Sequence, residues 1–480
     1  MTSARRVFLS CWLAYSVFWT PFIVREHFPA LTLTERGSLN VERYRGWTGD
    51  IFQGPEGGWF INNNPGASIT AAVPLLLLKP VLDRLDRWNQ SLPRVAERPN
   101  DGELFWRTLT EGRAFYFLAV AFVTVALVMA PATAATAGYL CARLRQAGVP
   151  EISAARAALL YGLATPLLFR VGHLNHNLLT GDAGFLALLL LWDPQDRPVP
   201  AKRAAAAGLL CGYAVLCDFS GLVVLAVAAL YVWLRAGDRS FSGKCRTLAI
   251  YAAGAAPGLL ALAAYQAWAF GSFYHPSQQY MVPTAPTSQG YRGFDWPSSA
   301  LLWANFFDPR FGIFAYCPVL LLAWAAPFVR GVRYRIPRRE TWVLYIFIAL
   351  FALFCAANRY SWLQPLTGFR YLAPLVGPLA LLALQTAQAL PRLWRRVLAA
   401  AALTQSLVVA NAHENDVRQS LAAMWERRGA FFWMIRLREA GLSAAWLDAA
   451  VCAAILLLIA SAWLAFRAFI RRPRGDAQCA

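Results

Sequence analysis

AFYFLAVAFVTVALVMAPATAATAGYLCARLR, residues 114–145, decides the fold class. From Ala114 to Leu140 no side chain carries a charge, and the run closes on Arg143 and Arg145. A helix rises about 1.5 Å per residue, so roughly 20 apolar residues cross the hydrocarbon core of a bilayer. This stretch therefore predicts a spanning helix, its C-terminal end held in the cytoplasm by two arginines.

Similar runs lie on both sides of it. Val7–Val24 follows Arg5 and Arg6, whose charge keeps the start of the chain inside. It lacks a small-residue cleavage site and predicts a retained anchor. Ala155–Phe169, Leu178–Trp192, Leu248–Phe270, Phe311–Phe328, Trp342–Ala356, Tyr371–Leu390, Val397–Ala410 and Ala445–Phe466 complete the simple spans. Ala204–Leu234 is flanked by Lys202 and Arg203 on one side and by Arg235, Arg239, Lys244 and Arg246 on the other. Breaking it at Asp218–Gly221 returns both basic clusters to one side. The expectation is an all-α polytopic membrane protein with about twelve transmembrane helices and both termini inside.

Composition agrees. The 480 residues are 58% hydrophobic and 15% charged, with a mean hydropathy of +0.41; soluble domains hold roughly 45–50% and about 25%. A β-barrel would show short alternating segments instead. The formal net charge of +19 sits in short loops at helix ends. That is the positive-inside pattern, and no nucleic-acid recognition motif accompanies it. The nine cysteines show no CxxC or Cys/His metal spacing.

Residues 1–480 form one integral membrane domain. Three external segments, 25–113, 271–310 and 411–444, carry interfacial helices. Ala67–Leu82, broken by Pro74 and Pro80, suits a helix in the outer interface or a re-entrant one, and Leu421–Leu437 is amphipathic.

The first segment holds the most informative loop, NVERYRGWTGDIFQGPEGGWFINNNPGASITAA at Asn40–Ala72. It is rich in Gly and Asn, has no helix or strand periodicity, and bears Asp50 and Glu56. Long loops of this kind are functional or disordered. Tyr44, Trp47, Phe52, Trp59 and Phe60 argue for order, because disordered segments are poor in aromatics. The expectation is a loop that folds back over the helices and presents Asp50 to a lipid-linked substrate.

Other polar residues collect on the same side: His173, His176 and Asp182 around the third turn, His275, Arg292 and Arg310 in the second loop, and Arg370 before the span at Tyr371. Ionisable groups in or near a bilayer are costly and mark function. A carboxylate can act as general base on an acceptor hydroxyl or amine, and arginines can take up charge on a phosphate leaving group. No HExxH, P-loop or GxGxxG motif is present. His173 and His176 resemble a ligand pair without a third ligand, so no metal site is assigned, and a divalent metal stays an open cofactor option. Ordinary roles compete: a turn cap for Asp50 or Asp218, a solvated turn for Glu56, headgroup contact for the arginines, and interfacial packing for His173 and His176, with Asp182 expected to pair with one of the two.

The pattern of Asp50, Gly57–Gly58, Trp59–Phe60, Asn63–Asn64 and Pro65–Gly66 before an apolar helix resembles the first external loop of GT-C type membrane glycosyltransferases, of the mannosyltransferase and lipid A aminoarabinose-transferase kind. FFDPRFGIFAYCPVLLL and GFRYLAPLVGPLALL resemble two later stretches of bacterial members. The resemblance implies a GT-C-like fold in the inner (plasma) membrane, with the active site facing the periplasm or exterior. It implies a polyprenyl-phosphate-linked sugar as donor and a lipid, glycan or protein as acceptor. Asp50 would be the catalytic residue, as base or as a group positioning the acceptor. Arg370, Arg292, Arg310, His173, His176, Asp182 and Asn64 would bind substrate. Many relatives have an acidic pair where this chain reads Gly49–Asp50–Ile51. The alternative function is a transporter or flippase of a lipid-linked saccharide, which would favour internal repeats and a midplane site. A structural envelope subunit would leave Asp50 dispensable.

Overall fold

Apolar side chains offer the backbone no hydrogen bonds, so its amides and carbonyls pair along the helix. The computed structural model describes residues 1–92, 104–237, 240–274, 276–281, 284–286, 288–332 and 334–469, and it is mostly helical. Arg239, His275, Cys479 and the C-terminal RRPR run lie outside the described residues. Among those described, five helices are long and apolar enough to cross a membrane: Ala114–Gln146, Phe241–Phe270, Arg338–Ala357, Arg392–Ala412 and Ala444–Ala468. His176–Leu191, Gly221–Arg235 and Ala373–Ala387 are shorter apolar helices.

Several expected spans are shorter or broken, and proline accounts for most of this. The first helix is Ser3–Val17. Pro21 follows, and Thr20 donates both its amide (2.7 Å) and its hydroxyl (2.9 Å) to the Gly172 carbonyl. The residue before proline is pushed out of the helical region, so Phe18–Glu26 becomes a strap across the 165–176 turn. Glu151–Leu163 stops ahead of Pro166 and resumes as Leu167–Arg170. Phe311–Phe328 contains only Ile313–Tyr316 and a tighter 3-10 stretch, Pro318–Ala325. Gly66–Leu77 and Lys79–Gln90 meet at an 82° bend.

The helix is interrupted at Asp218–Ser220, between Ala201–Cys217 and Gly221–Arg235, as the flanking charges predict. Its two basic ends return to one loop. Arg203 reaches Asp193 at 3.2 Å, and Arg235 pairs with Asp196.

Ala201–Cys217 and Phe241–Phe270 cross backbone to backbone. Gly208 and Gly212 face Gly254 and Gly258, two GxxxG spacings. A Cβ on Gly208 would sit 2.0 Å from the Tyr251 carbonyl oxygen, and one on Gly258 would sit 2.3 Å from the Gly212 carbonyl. Small residues at this spacing let apolar helices associate by close contact where lipid gives no hydrophobic drive.

The helix bundle has two chemically distinct ends. At one end Arg143 donates to the Leu190 carbonyl, Arg203 meets Asp193, and Arg339 binds Asp196 and Glu340. Arg145 joins Ser3 at this end. At the other end lie the first loop, the Asp218 turn, and the segments after Phe270 and before Val376. Six cysteines are buried and free, while Cys245 and Cys452 are exposed.

Candidate functional site

The first loop is ordered, and its aromatics order it. Ile51–Gln53 and Trp59–Ile61 form an antiparallel hairpin. Its turn needs Gly57, whose φ of +97° is left-handed territory that side chains rarely adopt. Phe52 stacks on Phe270, and Phe60 meets Phe270, Tyr265 and Trp268. Tyr44 and Trp47 pack on Phe28 and Phe117. Asn64 is buried and donates to the Val215 carbonyl at 2.9 Å, tethering the loop to the end of Ala201–Cys217. Ser277 and Gln278 of the second loop both donate to the Asn62 carbonyl.

This docking seats Asp50 against the strap. Asp50 Oδ2 lies 2.8 Å from Arg25, and Asn62 donates to Oδ1 at 3.5 Å. The chain of charges continues inward. Arg25 lies 3.8 Å from Glu26, and Glu26 Oε1 lies 2.6 Å from His176 Nδ1. The Asn63 amide donates to the same Glu26 oxygen. His176 Nε2 faces Asp218 Oδ2 at 3.4 Å. Asp218 Oδ1 accepts from the Ser220 amide at 2.8 Å, so this carboxylate both caps the turn and faces the imidazole. Glu26 and His176 are buried, while Asp50 and Asp218 at the two ends of the chain keep 39% and 24% of their side chains open.

Burial alone would raise the Glu26 pKa; the hydrogen bond and charge of His176, with Arg25, hold it below the usual carboxylate range. Burial would lower Arg25, but Asp50 and Glu26 keep it firmly charged.

Beside this chain lies a second cluster of opposite character. Arg170 is 1% exposed, donates to the Thr367 carbonyl at 3.2 Å, and leaves its Nε without a partner. Arg370 donates to the Tyr371 hydroxyl at 2.6 Å, and its Nε is also unpartnered. Neither arginine is paired with a carboxylate among the described residues. Burial and the nearby Arg370 push Arg170 down to about 9. Burial, then Arg170 and His413, hold His173 well below the usual histidine range, so it is neutral. His173 and His413 meet edge to face at 5.8 Å. Arg170 is within electrostatic reach of Glu26, and Tyr371 of Arg25, so the two clusters adjoin.

The other expected residues separate from this centre. Asp182 pairs with neither histidine. Its carboxylate accepts from the Thr133 hydroxyl at 2.6 Å, within the helix packing. Six positions along a helix turn it to another face and about 9 Å from His176. Arg310 is spent on Asp308 at 2.9 Å, and Arg292 sits in the Tyr291–Phe294 turn with a left-handed φ of 52°. Sequence reasoning missed Arg25, Glu26 and Arg170. The signal for the first two is a charged pair directly after the first apolar run, Val7–Val24.

An apolar cleft of about 70 Å³ lies between Glu151–Leu163, Val376–Ala387 and Arg392–Ala412, lined by Thr165 and, toward the basic start of the last of these helices, by Arg395. Among the described residues no group of three or more His, Cys, Asp and Glu side chains is set to hold a metal ion. Comparison with protein-family models, curated proteins and solved structures finds no match.

Proposed function

We propose that the chain is an integral membrane glycosyltransferase. It moves a sugar from a polyprenyl-phosphate donor to a lipid, glycan or protein acceptor at the outer face of the cytoplasmic membrane. The observation that carries this reading is the pair of guanidiniums without a carboxylate of their own, Arg170 buried and Arg370 half-buried, beside a chain of carboxylates open to solvent at both ends. A phosphate leaving group needs cations, and an attacking acceptor needs a group that binds or accepts its proton.

In this reading the acceptor oxygen attacks the anomeric carbon. The bond from that carbon to the phosphate oxygen breaks, and the polyprenyl phosphate leaves with the electron pair. Arg370 and Arg170 take up the added charge, with neutral His173 beside them. Asp50, fixed by Arg25, orients the acceptor. The cleft at Thr165 gives an isoprenoid chain apolar walls. The twelve-span topology belongs to this reading, with shorter and broken helices counted among the spans. Its orientation rests on the arginines at the far end of the helices, which positive-inside topology puts in the cytoplasm. Polar groups gathered at one end favour an enzyme over a flippase.

The test is binding of polyprenyl phosphate to purified protein in detergent, with transfer from polyprenyl-phosphate hexoses and pentoses assayed in membranes. Wild type binds and transfers. Arg370→Ala weakens binding by about tenfold or more, the worth of a charged hydrogen bond. Asp50→Asn keeps binding and loses about 10²-fold in transfer. Unchanged transfer in Asp50→Asn, or no binding by wild type, overturns the proposal.

A further inference from the structure

Asp50 is already committed, its Oδ2 held 2.8 Å from the Arg25 guanidinium. The other open carboxylate, Asp218, is placed differently. Its Oδ2 faces the imidazole of His176, 3.4 Å away, and that imidazole is fixed from behind by Glu26 at 2.6 Å.

Resting on the transferase reading, we infer that Glu26, His176 and Asp218 form its proton-handling group, with Asp218 and His176 Nε2 sharing the proton that the acceptor releases. Glu26 accepts from His176 Nδ1–H and so fixes the tautomer, leaving Nε2 as the basic nitrogen toward Asp218. Asn63 holds the same Glu26 oxygen, so the imidazole has one orientation. When the acceptor O–H attacks, the C–O bond to phosphate breaks and the leaving phosphate takes its electron pair. The acceptor proton passes into the space between Asp218 Oδ2 and His176 Nε2. An imidazolium formed there sits between two carboxylates and is stabilised by both. Asp218 touches the acceptor, while Glu26 acts through His176 as a positioning residue.

The geometry around His176 supports this division of labour. Glu26 faces it from the strap, Asn63 from the first loop and Asp218 from the turn; Arg25 lies 3.8 Å from Glu26, and Arg170 is within electrostatic reach of Glu26 from the 165–176 turn. The cationic members adjoin Glu26, whereas the Nε2 side is open to a proton through Asp218. Asp218 is also suited to substitution, because asparagine can still accept from the Ser220 amide and keep the turn capped.

Two measurements test it on the full-length protein. First, imidazole-proton NMR is recorded on histidine-labelled wild type, which has five histidines. One strongly downfield Nδ1 proton is expected, absent in His176→Gln and Glu26→Gln and shifted in Asp218→Asn. Second, transfer from polyprenyl-phosphate hexoses and pentoses is followed against pH. Asp218→Asn and His176→Gln bind polyprenyl phosphate within about twofold of wild type and lose about 10²-fold in transfer. Glu26→Gln displaces the pH profile, which a merely structural residue would not. If both variants transfer at the wild-type rate with the wild-type profile while Asp50→Asn is inactive, the inference is wrong and the transferase reading stands. If wild type neither binds polyprenyl phosphate nor transfers, both fall.

Discussion

At the scale of single residues, Glu26 carries the clearest pH consequence. Its carboxyl is buried, yet His176 and Arg25 hold its pKa below the ordinary value of 4.5. A carboxyl depressed in the folded state stabilises the fold above its unfolded value and loses that contribution as pH falls through the folded one. Wild type should therefore exceed Glu26→Gln in Tm by a steady margin above about pH 5, and the margin should shrink below about pH 4. A margin indifferent to pH would mean that the Glu26–His176–Arg25 pairing adds no stability. Asp50 was legible from its setting, a carboxylate in an aromatic, glycine-rich loop. Arg25 and Glu26 were hidden because a helix end and a strap look alike until Pro21 and the Gly172 carbonyl are seen together. Arg170 and Arg370 are 200 positions apart in sequence, and only folding brings them together.

At the scale of elements, the break at Asp218 was readable because charge at both ends of one apolar run is incompatible with a single crossing. The breaks within Phe311–Phe328 and Ala155–Phe169 were marked by Pro318 and Pro166, but composition alone does not say whether a proline kinks a helix or ends it. The Gly208–Gly212 and Gly254–Gly258 spacings are plain in the sequence, and only the crossing gives them meaning. Gly212→Leu would push a branched side chain against the Ala255 carbonyl, which a Cβ would already approach to 2.3 Å. Overpacking of this kind costs about 1–3 kcal/mol. The expected result is a lower Tm and faster proteolysis of the second loop; unchanged values would show that the two helices do not depend on this contact.

At the scale of the whole molecule, the two ends make an orientation test possible. Cys245 is exposed near the start of Phe241–Phe270, at the arginine-rich end, whereas Gly57 lies at the hairpin tip beside the other end. In intact cells a membrane-impermeant maleimide should label a cysteine in place of the exposed Glu56 beside that tip (Glu56→Cys) and should reach Cys245 only after permeabilisation. The reverse pattern would place the Asp50 end in the cytoplasm and remove the extracytoplasmic reaction. The helical membrane class was legible throughout, since hydropathy reports solvent preference directly. The site was half legible, because sequence shows which charges sit at helix ends but not which of them meet.

The glycine crossing also limits traffic. Where two backbones touch, no hydrocarbon chain can slip between them, so the wall made by Ala201–Cys217 and Phe241–Phe270 is a sealed seam. Any long-tailed molecule reaching the charged end must arrive from another flank, and the bundle thus has a shut side and an approachable one.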